Sequence, residues 1–326
     1  SRKLLESITA KNNVKLSPKM EVVSQELVTE LNLNVYISGT GLKKKVDTAQ
    51  EVSIVVGEKA YRLKNVYAYT KLIDEISDLE YFPRPQETLD DGTVLYGEYD
   101  GYYLVTKDID GLQANGKKFV MNTALFPSGT NVNKTKGLTG TFDGNGHVIK
   151  NLSITRRLYD ASNRGLAMFN RTNGATIKNL GLENAAVLNS DAERGDSFIA
   201  GFVAYASGET CIENCYITDS TILQNNSAAV GSAGSIIAYM GGDCVIKNTY
   251  ARGNEIGNAF ACTVTTTSGN CVSTFVGRTA STITADSIVN CYSKDNKLVN
   301  IGNSTRKAGF ARVGSSGNTD VAFVGS

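Results

Sequence analysis

Thr139-Gly-Thr-Phe-Asp-Gly-Asn-Gly-His-Val-Ile-Lys-Asn-Leu-Ser-Ile154 sets the pattern of this chain, because its inner segment Val148-Ile-Lys-Asn151 returns in altered form four times downstream. The returns are Thr176-Ile-Lys-Asn179, Cys211-Ile-Glu-Asn214, Val245-Ile-Lys-Asn248 and Ser287-Ile-Val-Asn290, at separations of 28, 35, 34 and 42 residues. A second marker keeps phase with the first: Gly165-Leu-Ala-Met-Phe169, Ala200-Gly-Phe-Val203, Ala233-Gly-Ser-Ile236, Ser273-Thr-Phe-Val276 and Ala308-Gly-Phe-Ala311. Two markers in phase over five units define a repeat.

A unit of this length with short β-branched runs and no helical periodicity fits one coil of a parallel β-solenoid. Each coil rises about 4.8 Å, so equivalent side chains stack in columns and the inward Ile, Val, Leu and Phe form one continuous core. Asparagine offers two donors and an acceptor with two lone pairs. Asn151, Asn179, Asn214, Asn248 and Asn290 are therefore expected to form a hydrogen-bonded ladder at a buried bend. Variation in unit length belongs in loops, at 188–197, 223–232 and 261–270, where added chain costs little.

The composition agrees. The 326 residues include 32 Gly, 15 Tyr, four Pro and no Trp, which favours short strands and many turns. Lys and Arg number 33 against 32 Asp and Glu, for a net charge of +1. No basic stripe is present, so a nucleic-acid partner is not expected. No run approaches the roughly 18 apolar residues of a membrane span, and Ser1-Arg-Lys-Leu-Leu lacks the apolar core of a secretory signal. The final Val321-Ala-Phe-Val-Gly-Ser326 alternates without a polar cap, from which the chain is expected to be a piece of a longer protein or larger assembly.

Three regions follow. Residues 1–65 alternate with period two, clearest in Leu31-Asn-Leu-Asn-Val-Tyr-Ile37 and Val52-Ser-Ile-Val-Val56, and are expected to form a small immunoglobulin-like β-sandwich that is either short or lacks part of its sheet. Within them, Met20 to Leu31 fits a helix as well, with apolar residues at 20, 23, 27 and 31. Residues 66–95 are a junction and N-terminal cap, with helical spacing at Leu72, Ile76 and Leu79 ended by Phe82-Pro-Arg-Pro85. Residues 96–326 are expected to form the β-solenoid.

With Gly101-Tyr-Tyr-Leu-Val-Thr-Lys-Asp-Ile-Asp110 ahead of it and the Gly-Phe and Ile-Lys-Asn units behind it, Leu138 to Leu152 resembles the GLUG-motif family. The resemblance spans about residues 70–326 and is most specific at Phe142-Asp-Gly-Asn-Gly-His147. It loosens after Asn248, where Thr274 replaces the marker glycine. It implies a right-handed parallel β-helix from a large surface-exposed or secreted bacterial protein, often beside immunoglobulin-like modules. It supplies no catalytic residue.

Several residues suggest chemistry. Asp143-Gly-Asn-Gly-His147 gathers a carboxylate, an amide and the sole histidine, yet Asp143, Gly144, Asn145 and Gly146 are the residue types of a tight turn, and a turn is the expectation. No nucleophile elbow or paired Cys-x-x-Cys is present, so no triad, metal or cofactor is expected. Asp191, Glu193, Asp196, Glu209, Asp219, Asp243 and Asp286 are scattered through apparent loops rather than paired as polysaccharide cleavage requires. Cys215 and Cys291 share one repeat position with Thr249 between them, as stacked small core residues. Cys262 and Cys271 bracket the longest insertion; a disulfide and two separate thiols both fit. Tyr96, Tyr99, Tyr102 and Tyr103 fit either a sugar-stacking surface or a packed junction.

The expected function is that of a non-enzymatic bacterial surface or secreted protein, with the β-helix as stalk or adhesive surface toward carbohydrate or host and matrix proteins. The alternatives are a polysaccharide lyase or glycoside hydrolase on the solenoid flank, and a phage or fibre spike.

Overall fold

The computed structural model describes residues 14–16, 35–38, 50–56, 59–82, 86–92, 94–96, 98–121, 137–155, 165–189, 198–224, 231–259, 271–300 and 306–313. The helical alternative at 20–31 lies outside them. The described residues are almost entirely strand, and from Lys71 onward the long sheets are built from parallel pairs.

One coil shows the construction. Cys211–Glu213, Tyr216–Thr218, Thr221–Gln224, Ser232–Gly234 and Ile237–Met240 follow one another around the perimeter, and Val245–Lys247 then lies on Cys211–Glu213. Repetition of this path gives a β-solenoid of about five turns, with five- and six-stranded sheets on its flanks. Inward columns are apolar without a break: Phe142, Ile177, Ile212, Ile246 and Ile288 pair in succession, as do Ile154, Val187, Ile222, Ile256 and Leu298. The first four of each series are fully buried. Each such side chain contributes about 1.5–3 kcal/mol relative to exposure.

The bends use positive φ. Asn179, Asn214, Asn248 and Asn290, at φ between 47° and 54°, turn the chain at one corner. Asn151, Asn184, Asp219, Gly253 and Asp295 turn it at the next. Asparagine, aspartate and glycine are the residues that enter the left-handed region at least cost. Loops vary in length at a third corner: 190–197, 225–230 and 260–270 each leave flanking strands that remain in register.

The N-terminal end of the core is closed by residues 71–82. The expected helix is reduced to one 3-10 turn, Ile76–Leu79, after a strand, Lys71–Ile73, that pairs with Tyr102–Val105. Leu79 is buried, and the Phe82 ring packs 5.3 Å from Tyr103 and 6.4 Å from Phe142. Ahead of this cap, Val14–Leu16, Val35–Ser38, Lys59–Tyr69 and Gln50–Val56 form one four-stranded sheet, in that order. A sandwich requires a second facing sheet, and among the described residues none accompanies these strands, so the immunoglobulin-like module is not what this sheet displays. The boundary at residue 65 falls within the strand Lys59–Tyr69.

Candidate functional site

The outer face of the solenoid is a set of side-chain columns, and four asparagines form one of them. Asn290 Nδ2 donates to Asn248 Oδ1 at 3.2 Å, Asn248 Nδ2 to Asn214 Oδ1 at 3.2 Å, and Asn214 Nδ2 to Asn179 Oδ1 at 3.1 Å. Asn179 then donates to Asp143 Oδ1 at 3.1 Å, so a carboxylate heads the ladder. Asn214, Asn248 and Asn290 are exposed, which corrects the expectation of a buried bend.

Asn151 does not belong to this ladder. Phe142 pairs with Ile177 and Ile149 with Leu182, so the residue below Asn179 comes from the Asp143 segment. Asn151 sits at the second bend, where it accepts from Asn184 Nδ2 at 2.6 Å and donates to Asp110 Oδ1 at 2.6 Å. The likeness of Val148-Ile-Lys-Asn151 to later Ile-Lys-Asn units conceals this, because two bends of one coil use the same residue type. With Phe142 aligned to Ile177, the first spacing becomes 35 residues and the anomalous 28 disappears.

The expected turn at 143–146 is a bulge within one strand, Thr141–Lys150, rather than a chain reversal. Gly144, Asn145 and Gly146 occupy the corner that Asn179 alone fills one coil above. Asn145 and Gly146 have φ of 54° and 79° and are exposed. Gly144 is required by closeness: a Cβ there would lie 2.3 Å from the Asn179 carbonyl oxygen. Asp143 is buried and fully engaged, accepting from Tyr102 Oη, Asn145 N and Asn179 Nδ2, with Lys178 Nζ at 3.6 Å. His147 Nδ1 lies 3.1 Å from Asp108 Oδ1, and the Val148 N–H donates to the same oxygen. That N–H, followed by the imidazole, holds the Asp108 carboxyl below the usual carboxylate value.

Two aromatic columns stand outside the apolar core. Tyr216, Tyr250 and Tyr292 stack with centroids 5.0 and 4.9 Å apart and interplanar angles of 4° and 1°. The Tyr216 ring lies across Gly181, where any side chain would collide with it, and its hydroxyl donates to Glu183 Oε1 at 2.8 Å. Burial, then the Glu183 carboxylate, raises the Tyr216 phenol well above its ordinary value. On another flank Arg171, Tyr205, Tyr239 and Arg278 follow one another in register. The two rings stack at 4.7 Å, Arg171 sits 4.5 Å over Tyr205, and Arg278 sits 4.9 Å over Tyr239. Phe198 packs edgewise on both tyrosines.

Apolar periodicity does not mark either column, although the sequence holds another signal for them. Tyr216, Tyr250 and Tyr292 each lie two residues after a ladder asparagine, Arg171, Tyr205 and Arg278 two residues after the second marker's final apolar residue, and Tyr239 three residues after it. By contrast Tyr99, Tyr102 and Tyr103 are buried, which makes them junction packing rather than a sugar-stacking surface. The Tyr96 side chain lies outside the described residues, as do Cys262, and with it the Cys262–Cys271 bridge, and the loop acids Asp191, Glu193 and Asp196. Cys271 itself is buried on the strand Cys271–Ser273. Glu209, Asp219, Asp243 and Asp286 are each exposed, and no cluster of three metal-ligating side chains occurs among the described residues.

The truly buried polar columns are different residues again. Asn254, fully buried, accepts from the Ser220 N–H and donates to Asn296 Oδ1 and Ile217 O. Asn189 donates to Gln224 Oε1 at 2.9 Å, with both side chains buried.

No known protein-family profile matches the chain, and neither does any curated protein. A solved chain described as "a putative immunoglobulin A1 protease from Bacteroides ovatus" is similar over 75% of this chain and 84% of its own, at 16% identity and a TM-score of 0.39. That finding corrects the expectation of a chain without enzymatic activity, since a structure similar to this one bears the name of a protease. At that identity and TM-score the likeness transfers no reaction, substrate or catalytic residue. No described helix is long and apolar enough to cross a membrane.

Proposed function

We propose that the chain is a bacterial surface or secreted protein whose solenoid presents a rigid lateral surface to glycans or host and matrix proteins. One observation carries this reading: outward side chains are ordered in columns, with the rings of Tyr216, Tyr250 and Tyr292 and of Tyr205 and Tyr239 held in stacks. Aromatic rings fixed before binding lose little conformational freedom when a ligand arrives. The resemblance to GLUG-motif proteins supports an extracellular bacterial setting and a right-handed coil. The test is a panel of immobilised polysaccharides and matrix proteins probed with the full chain, together with antibody labelling of intact producing cells. Retention on at least one ligand class and surface or medium labelling are expected. Retention on none, or labelling only after lysis, overturns the proposal.

A further inference from the structure

The Arg171–Tyr205–Tyr239–Arg278 column differs in its pairing from the columns in which acid meets base. Lys150 meets Glu183 at 3.2 Å, Lys178 meets Asp143 at 3.6 Å, and Lys297 meets Glu255 at 3.7 Å. Among the described residues, Arg171 and Arg278 have no carboxylate within ion-pair distance, and their guanidinium groups donate no hydrogen bond; each meets a tyrosine ring instead. An arginine carries five N–H donors in a planar fork that matches carboxylate and sulfate oxygens. Two such forks, fixed by their rings and left without anionic partners, form a surface complementary to negative charge. Stacking on the ring also removes part of the side-chain freedom that binding would otherwise have to remove.

The geometry selects the form of the partner. The two arginines are three strand steps apart, about 14 Å at the spacing of parallel strands. They lie along the solenoid axis with the edges of two tyrosines between them and Phe198 beside these rings. A partner that reaches both cations is a linear polyanion running along the axis. Backbone amides of this sheet are already paired coil to coil, so a peptide cannot add here as a further strand. A net charge of +1 over the whole chain is too small for phosphate-dense nucleic acid. A polysaccharide supplies apolar C–H faces for the aromatic groups, hydroxyls for the phenols and acidic groups for the two forks. Resting on the surface-binding function proposed above, we propose that this column is a subsite for an anionic polysaccharide, with Arg171 and Arg278 as its two acid-binding ends.

The experiment is affinity electrophoresis of the full chain in gels containing polygalacturonate, chondroitin sulfate, neutral dextran or polyglutamate. Retardation by polygalacturonate, chondroitin sulfate or both, and by neither of the other two, is expected; which of the two acts distinguishes carboxylate from sulfate. The double variant Arg171→Gln/Arg278→Gln is expected to weaken retention about ten-fold or more, as the loss of two charge-assisted contacts requires. Arg252→Gln, on an exposed arginine of another sheet, is expected to change nothing. Should the glutamine variant fail to fold by circular dichroism, Arg171→Lys/Arg278→Lys keeps the charge without the fork and is expected to bind more weakly than the original chain. Unchanged retention in the folded variant, equal loss in Arg252→Gln, or equally strong retention by polyglutamate overturns the assignment. Binding to a neutral glycan or a matrix protein that survives the double variant overturns this subsite and leaves the surface-binding function standing. Failure on every glycan and matrix protein removes both.

Discussion

Asn248 performs two tasks with one side chain, holding the left-handed bend and joining the amides above and below it. The tasks separate by substitution. Asn248→Gly keeps the bend and loses the amide, and should lower stability by about 1 kcal/mol. Asn248→Leu loses both and adds about 1–2 kcal/mol for a branched residue at φ of 47°. Thermal melts of both variants check this, and an unaltered melting temperature in both would remove the ladder as a stabilising feature. Asn254→Leu should cost more than Asn248→Leu, because it strands the buried Ser220 N–H. Burial also raises three thiols from near 9, Cys215 to about 12 and Cys244 and Cys291 to about 11. Folding holds them neutral. Their contribution is intact below pH 9 and is lost as pH climbs through 11 and 12. The melting temperature should therefore fall above pH 9, and less steeply in a Cys215→Ala/Cys244→Ala/Cys291→Ala variant. Residue identity made the asparagine bends legible in the sequence, since few side chains accept positive φ. It did not separate Asn151 from Asn179, because both corners impose the same demand.

The cap and the first coil form one packing unit at the level of elements. Phe82 closes the core over Tyr103 and Phe142, and Phe82→Ala should destabilise by about 3–5 kcal/mol. Hydrogen exchange should accelerate first in Tyr102–Val105 and Thr141–Lys150, with the strands beyond Thr221 much less affected. Uniform acceleration throughout would show that the cap is not local. The sequence disclosed an apolar stop at Phe82 but not its shape, since Leu72, Ile76 and Leu79 satisfy helical spacing while Lys71–Ile73 is drawn into pairing with Tyr102–Val105. Alternation in residues 1–65 marked strands and could not say how many sheets they form, because facing partners are chosen by tertiary contacts. Periodicity hides the outward tyrosines for a related reason: it reports which side chains face inward, and the outward columns carry no apolar signal of their own.

Across the whole molecule, register is held vertically, from one coil to the next, rather than along the chain. Gln224 and Ser232 keep their partners although the loops at that corner differ in length from coil to coil. A Gly/Ser segment inserted at 225–230 should lower stability by roughly 0.6 kcal/mol per doubling of loop length. A single residue inserted between Cys215 and Tyr216 should unfold the protein, because it rotates every inward side chain of that strand outward. Circular dichroism and melting of the two insertions check the contrast. The columns also have a geometric consequence for reach. One coil uses about 35 residues, as from Ile177 to Ile212, and advances only about 4.8 Å. The same residues in a single α-helix would extend about 52 Å. A chain built this way is a poor spacer and a generous wall: it turns polypeptide into breadth, and a partner meets it from the side.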